Sequence, residues 1–143
     1  MSVTFTVPGE PQGKARARTG KGFFYTPEKT VLYENLIKMS YSQKYRGADG
    51  AKFETIPGTE LKQPVGVTIR AYHSIPRSYG KGKRLAATNN LNRPTRKPDA
   101  DNIAKVICDA LNGLVYIDDT QVVKLTVEKL YGEPRVEVEI EVI

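Results

Sequence analysis

The segment from Lys97 to Gln121, KPDADNIAKVICDALNGLVYIDDTQ, constrains the fold of this chain more than any other stretch. It contains apolar residues at i, i+3, i+4, i+7 and i+8, which is the spacing of one helical face. These residues are Ile103, Val106, Ile107, Ala110 and Leu111. Asn112-Gly113 then provides a stop signal suited to a left-handed residue after a helix. The segment therefore predicts a short amphipathic helix that buries this stripe.

Two pairs of aspartates bracket the predicted helix. Asp99 and Asp101 precede it, and Asp118 and Asp119 follow it. Lys105 lies one turn beyond Asp101, and both point away from the apolar stripe. Each feature has a structural alternative: a helix cap for the first pair, a turn for the second, and a surface ion pair for Lys105 with the aspartate four residues later. Carboxylates this close repel one another, however, which is hard to justify in a purely structural cap.

Clustered carboxylates in a chain with one histidine and one cysteine favour a hard divalent cation over zinc. Carboxylates that hold Mg²⁺ or Mn²⁺ can support phosphodiester hydrolysis without a protein nucleophile. A single metal site requires residues 113–118 to return antiparallel to the helix, so that Asp119 approaches Asp101. Lys105 could then hold the scissile phosphate or stabilise developing charge. The pattern favours a metal-dependent nuclease.

The net charge of +6 is distributed unevenly. Four basic residues and no acid lie between Glu10 and Glu28, and nine basic residues and no acid lie between Leu61 and Pro98. From Asp99 onward, ten acids accompany four bases. Such cationic stretches favour a polyanion, most often nucleic acid, whereas a merely solubilising surface usually intersperses both signs. The candidate DNA-binding residues are Lys14, Arg16, Arg18, Lys21, Arg77, Lys81, Lys83, Arg84, Arg93, Arg96 and Lys97.

The remaining patterns predict an α+β fold with the order β-(β)-α-β-α-β-β. Alternating residues predict strands over 3–7 and 65–75, with a short strand possible at 23–25. Thr26-Pro27-Glu28 starts a helix that runs to about Lys44. Its predicted buried face consists of Leu32, Tyr33, Leu36, Ile37 and Met39. Alternation over 123–127 and 136–142 predicts a closing hairpin, so the sheet is expected to be mixed, mainly antiparallel, with two helices on one face.

Length and composition predict a single domain over residues 1–143 with a basic loop at about 76–97, mobile in the free protein. One cysteine, Cys108, excludes an intramolecular disulfide and favours a reducing cytoplasm. The sequence contains no run of 18 apolar residues, so no membrane span is predicted. The first ten residues lack the features of a secretory signal.

The segment KPDADNIAKVICDALNGLVYIDDTQVV closely resembles the signature of the RusA family of Holliday junction resolvases, found in bacteria and their prophages. That signature runs (R/K)-x-D-x-D-N-x-x-K, then D-A-L, then D-D-x-Q-(V/I)-V. Where some members carry arginine before the first aspartate, this chain has Pro98, and its basic stretch at 76–97 is long for the family.

The resemblance implies a role for each matching residue. Asp99, Asp101 and Asp119 match the catalytic aspartates that serve Mg²⁺, Lys105 matches the lysine at the cleavage site, and Asp118 matches a supporting acid. It further implies a homodimer that binds four-way junctions and nicks two strands symmetrically during recombination and repair. A flap- or fork-selective nuclease of the same family and a non-catalytic branched-DNA-binding protein are the alternatives.

Overall fold

The computed structural model describes residues 2–16, 18–20, 22–25, 27–45 and 51–143. Its strands are β1 (Ser2–Pro8), β2 (Arg18–Gly20), β3 (Phe23–Tyr25), β4 (Val65–His73), β5 (Val122–Tyr131) and β6 (Arg135–Val142). Its helices are α1 (Glu28–Lys44), α2 (Lys81–Thr88) and α3 (Ala100–Leu111), and a 3₁₀ turn covers Asp119–Gln121. No helix in the described part of the chain is long and apolar enough to cross a membrane.

The main sheet has the strand order β1-β6-β4-β5, and β2 pairs separately with β3. Strand β6 is antiparallel to both β1 and β4, whereas β4 and β5 are parallel. The predicted α+β class with a mixed, mainly antiparallel sheet is therefore confirmed.

The predicted hairpin between β5 and β6 is wrong, because β4 lies between these two strands. The turn at 132–134 passes over the end of β4, where the Gly132 amide donates to the His73 carbonyl at 2.9 Å. Every second residue of β6 from Val136 to Ile140 is buried, as expected for a central strand. Val123 and Leu125 of β5 remain 61% and 49% exposed at the sheet edge. Alternation alone does not distinguish these two positions in a sheet.

Helix α3 buries the predicted stripe completely, and it ends at Asn112 with Gly113 in the left-handed region at φ +76°. Helix α1 packs against α3 and β1 through a face that matches the predicted one in part, because Tyr33 and Ile37 are buried as predicted and Leu36 is partly buried against the core. Its buried residues are Thr30, Tyr33, Ile37 and Tyr41. Leu32 and Met39 are 60% and 55% exposed, so their predicted burial is wrong. The Tyr41 ring contacts Phe5 of β1 edge-on, with ring centroids 5.7 Å apart.

The stretch predicted as a basic loop at 76–97 contains a helix that was not predicted, α2. Ala87 is the one residue of α2 that is buried, and Leu85 is 62% exposed, so this helix buries almost no apolar surface. The ring of Tyr79, just before this helix, contacts that of Tyr131 of β5 edge-on, with ring centroids 6.1 Å apart. The segment is therefore attached to the sheet by a few contacts.

Replacing Ile107 with alanine is expected to lower the free energy of unfolding by about 2–5 kcal/mol, because this fully buried side chain belongs to the core shared by both long helices and the sheet. Urea denaturation would measure the change. The matched control is Val31→Ala on α1, where the side chain is 42% exposed and the cost is expected below about 0.5 kcal/mol. Equal losses for the two variants would contradict the assigned core.

Candidate active site

A cleft of about 480 Å³ lies between the loop at 11–15, the start of α1 and the N-terminus of α3. Its lining includes Lys14, Lys29, Lys97, Asp99 and Asn102. Asp99 occupies the N-cap position of α3, but its side chain makes no capping hydrogen bond. The carboxylate is therefore not used as the structural cap that the sequence allowed. Lys29, Lys97 and the N-terminus of α3 form a surface suited to a phosphate group.

Close contact between the 11–15 loop and α3 shapes this cleft. A Cβ atom on Gly13 would lie 2.9 Å from the Asn102 Cβ and 3.0 Å from the Pro98 Cβ, so a larger residue cannot fit without displacement. The Lys14 amide donates to the Asn102 carbonyl at 3.3 Å, and the Ala15 amide donates to the Thr30 hydroxyl at 3.1 Å. The loop is thereby fixed against both α3 and α1.

The charged end of the Lys14 side chain lies beside the last turn of α3. Its ammonium lies 2.8 Å from the Asp109 carboxylate and 3.7 Å from that of Glu34. Partial burial alone would lower the pKa of Lys14, but the hydrogen bond to Asp109 and the two negative charges outweigh it and raise that pKa. Lys14, predicted to bind DNA, is thus already paired with two acids in the free protein.

Asp101 and Lys105 lie on the exposed face of α3, opposite the buried stripe. Asp109 follows one turn later on the same helix. The helix therefore presents an acid, a base and an acid at successive four-residue intervals, as its amphipathic pattern predicted.

The turn that precedes β5 holds the second acidic pair. The Thr120 hydroxyl donates to the Asp118 carboxylate at 2.9 Å and lowers the pKa of Asp118, with Lys62 adding a positive charge 4.0 Å away. Burial and the negative charges of Asp118 and Asp109 raise the pKa of Asp119. Asp119 therefore faces the C-terminal half of α3, where its charge also contributes to a raised pKa of the Cys108 thiol, which is due mainly to burial.

The predicted three-acid cluster is not formed in this structure. Within the described ranges, no group of three or more histidine, cysteine, aspartate or glutamate residues is arranged to hold a metal ion. Asp99, Asp101 and Asp119 all fall within those ranges. The carboxylate oxygens of these residues suit Mg²⁺ by type.

The basic residues between β4 and α3 differ in how much of their charge is available. Arg93 lies 3.4 Å from the Glu128 carboxylate, and Arg96 donates to the Ser74 carbonyl at 3.1 Å. Arg84 donates to the Pro76 carbonyl at 3.3 Å, and the Lys83 ammonium lies 5.3 Å from the centre of the Tyr79 ring.

The other predicted DNA-binding residues are distributed around the cleft and α2. Arg77 and Lys81 are exposed beside and within α2, Lys97 lines the cleft, and Arg16 is exposed just beyond the 11–15 loop. Arg18 lies in β2, and Lys21 lies outside the described residues.

Sequence reasoning did not single out Gln121, which positions the acidic turn. This side chain is 3% exposed, and its oxygen accepts the amides of Ile117 and Asp118 at 2.7 and 3.1 Å. Its nitrogen donates to the carbonyls of Phe53 and Gln63, each at 3.0 Å. The available signal was its place in the family signature D-D-x-Q-(V/I)-V, two residues after the aspartate pair and directly before an apolar strand.

Comparison with known proteins gives two matches. The family model described as Endodeoxyribonuclease RusA matches residues 8–141. A relative from Bacillus subtilis (strain 168), described as "Uncharacterized protein YqaN", is 40% identical over an alignment 143 residues long. The alignment covers 95% of this chain and 93% of that protein.

Replacing Gln121 with alanine is expected to lower the free energy of unfolding by about 1–3 kcal/mol, because buried amide and carbonyl groups around the acidic turn lose their partner. Urea denaturation would measure this loss. Gln63→Ala is the control, because it removes a neighbouring amide side chain but keeps the Gln63 carbonyl. If Gln121→Ala proved as stable as the control, Gln121 would not hold the turn.

Proposed function

This chain belongs to the RusA family of endodeoxyribonucleases, and on that premise we propose that it is a Mg²⁺-dependent Holliday junction resolvase of recombination and repair. The observation that carries this proposal is the cleft at the start of α3, where Lys29 and Lys97 line the same surface as the uncapped Asp99. Lysines attract a phosphodiester backbone without reading sequence, and the helix N-terminus favours the same anionic group.

In this proposal, Asp99, Asp101 and Asp119 hold the Mg²⁺, and Mn²⁺ can replace it. Such a cation would supply an activated water and would neutralise charge on the phosphate. In this proposal the three carboxylates come together when the cation and the DNA bind. Burial and the charges of two neighbouring acids raise the pKa of Asp119, and a cation bound beside it would relieve that repulsion.

The remaining residues of the proposed site act on the phosphate and on the turn. Lys105 lies one turn from Asp101 on the exposed face of α3, where its ammonium can hold the scissile phosphate and stabilise the developing charge. Asp118 supports the turn through Thr120 and Lys62.

A homodimer would present two such sites to a four-way junction, and a two-fold enzyme suits a substrate cut at two related points. The exposed bases at 77–84 and Lys97 would contact the junction backbones, joined by Arg16, Arg18 and Lys21. Arg93 and Arg96 already bond within the protein, so they would contribute less net attraction.

The substitution Asp101→Asn is expected to reduce nicking of a synthetic four-way junction on the order of 100-fold or more, while junction binding is kept or strengthened. Removing the negative charge takes away a cation ligand but also relieves repulsion of the phosphate. Cleavage in Mg²⁺ and binding in EDTA are the two measurements, each with linear duplex, flap and fork substrates alongside. The control is Glu133→Gln, at an exposed position in the β5–β6 turn.

Nicking by Asp101→Asn at the wild-type rate would refute the active-site assignment. A wild-type protein that binds the junction but never nicks it in Mg²⁺ would instead be a branched-DNA-binding protein. Faster cleavage of a flap or fork than of the junction would change the assigned substrate.

Junction affinity is expected to fall steeply with salt, and the double substitution Lys81→Ala with Lys83→Ala is expected to reduce the slope of log K against log salt by about 2. Both residues are exposed on α2. Fluorescence anisotropy between low and moderate salt would give the slope. Lys38→Ala, an exposed lysine on α1, is the control and should leave the slope unchanged; equal slopes for all three proteins would exclude α2 from the DNA interface.

A further inference from the structure

Strand β5 has an open edge. It is the last strand in the order β1-β6-β4-β5, so within the described residues it pairs on one side only. Residues 123–126 are all exposed, including Val123 and Leu125 at 61% and 49%. An edge strand with exposed apolar side chains and free backbone groups is a template for another strand.

The other edge of the sheet is covered at the middle of β1, by side chains from the end of α1 and the residue after it. On β1, the Thr4 amide donates to the Tyr45 hydroxyl at 3.0 Å, and that hydroxyl lies 3.2 Å from the Thr4 carbonyl. The Lys44 ammonium also donates to the Thr4 hydroxyl at 3.0 Å. The far end of β5 is covered as well, because Arg93 donates to the Lys129 carbonyl at 3.3 Å. The uncovered part of the edge is therefore the first half of β5.

The contact at Lys129 indicates which backbone groups face outward. The Lys129 carbonyl accepts from Arg93, a residue outside the sheet, so we assign this carbonyl to the edge away from β4. Successive residues of a strand direct their backbone groups to alternate sides. Leu125 and Val127 therefore present their amides and carbonyls to the open edge, whereas Lys124, Thr126 and Glu128 bond toward β4. The bulge in the β4–β5 pairing lies before this stretch, between Val65 and Gly66, so the alternation is regular here.

We propose that this edge pairs with the same edge of a second copy of the chain, antiparallel about a two-fold axis at Thr126. In that register Leu125 faces Val127 of the second copy, and both residues direct their backbone groups at the partner. Lys124 then faces Glu128 of the second copy, and Thr126 faces its own equivalent. Opposite charges, a threonine pair and an aliphatic pair are all favourable cross-strand neighbours.

The segment is thus complementary to itself, and this selects a second copy over an unrelated partner. Glu128 can take part because its carboxylate has two oxygens and its side chain is 43% exposed despite the Arg93 contact. The inference rests on the proposed homodimer and assigns its interface. The two active-site turns, directly before β5 in each copy, would then lie on either side of the two-fold axis.

Sedimentation velocity of the full chain without DNA, over a range of concentrations, tests the interface. Lys124→Glu and Glu128→Lys are each expected to weaken the dimer about tenfold, because each sets two like-charged pairs face to face. The double variant restores the original pairs in reversed order and should recover dimerisation. Leu125→Pro removes an outward amide but no bond to β4, so it should give a folded monomer with nearly unchanged thermal unfolding.

Met39→Asp is the matched control, because Met39 is a similarly exposed apolar residue, 55% exposed, on the unrelated surface of α1. This variant should remain dimeric. Three results would each overturn the assigned interface. The first is a wild-type protein that is monomeric, and the second is a dimer that persists in Leu125→Pro and in both charge reversals. The third is loss of the dimer in Met39→Asp.

Junction nicking by the wild-type protein separates this proposal from the proposed function. Paired nicks from a dimer that does not depend on β5 overturn the interface alone. A β5-dependent dimer that never nicks a junction supports the interface and overturns the resolvase function.

Discussion

Burial of one face of α3 is the interaction on which the site depends. Ile103, Val106, Ile107, Ala110 and Leu111 are all fully buried between α1 and the sheet. Because a helix turns about 100° per residue, fixing this stripe also fixes the direction of every other side chain on α3. Asp101 and Lys105 are held outward for the same reason that Ile107 is held inward, so the hydrophobic core determines the geometry of the chemical surface.

Two polar side chains, Lys14 and Gln121, fix the segments on either side of the site in addition to the hydrophobic stripe. Lys14 links the N-terminal loop to Asp109 on α3 and to Glu34 on α1, and it encloses the cleft beside Asp99. Gln121 fixes the acidic turn to the backbone at Phe53 and Gln63, far from it in sequence. A buried amide with all its hydrogen bonds made is rigid, because any movement leaves polar groups without partners. The start of α3 and the acidic turn are therefore held by separate anchors.

Sequence reasoning succeeded where one local pattern has one physical solution. The stripe of α3, its end at Gly113 and the alternation of β1 are of this kind. It failed where the outcome depended on distant partners: β5 and β6 have the same alternation, yet only the position of β4 decides that they do not pair. On α1, Leu32 and Tyr33 were both candidates for burial, and the ring contact between Tyr41 and Phe5 shows which side faces the sheet. The structural role of Gln121 was missed because it depends on hydrogen bonds to carbonyls more than fifty residues away in the sequence.

The position of β6 has a consequence for how the protein is made. This strand, Arg135–Val142, is the central partner of both β1 and β4, yet it follows every other described strand in the chain. During synthesis, β1 and β4 leave the ribosome long before the strand that joins them, so they cannot form their part of the sheet alone. Contacts across so much sequence form slowly. The acidic residues of α3 thus remain on an unfinished scaffold until translation of this region is complete, and an interrupted chain is not expected to attack DNA.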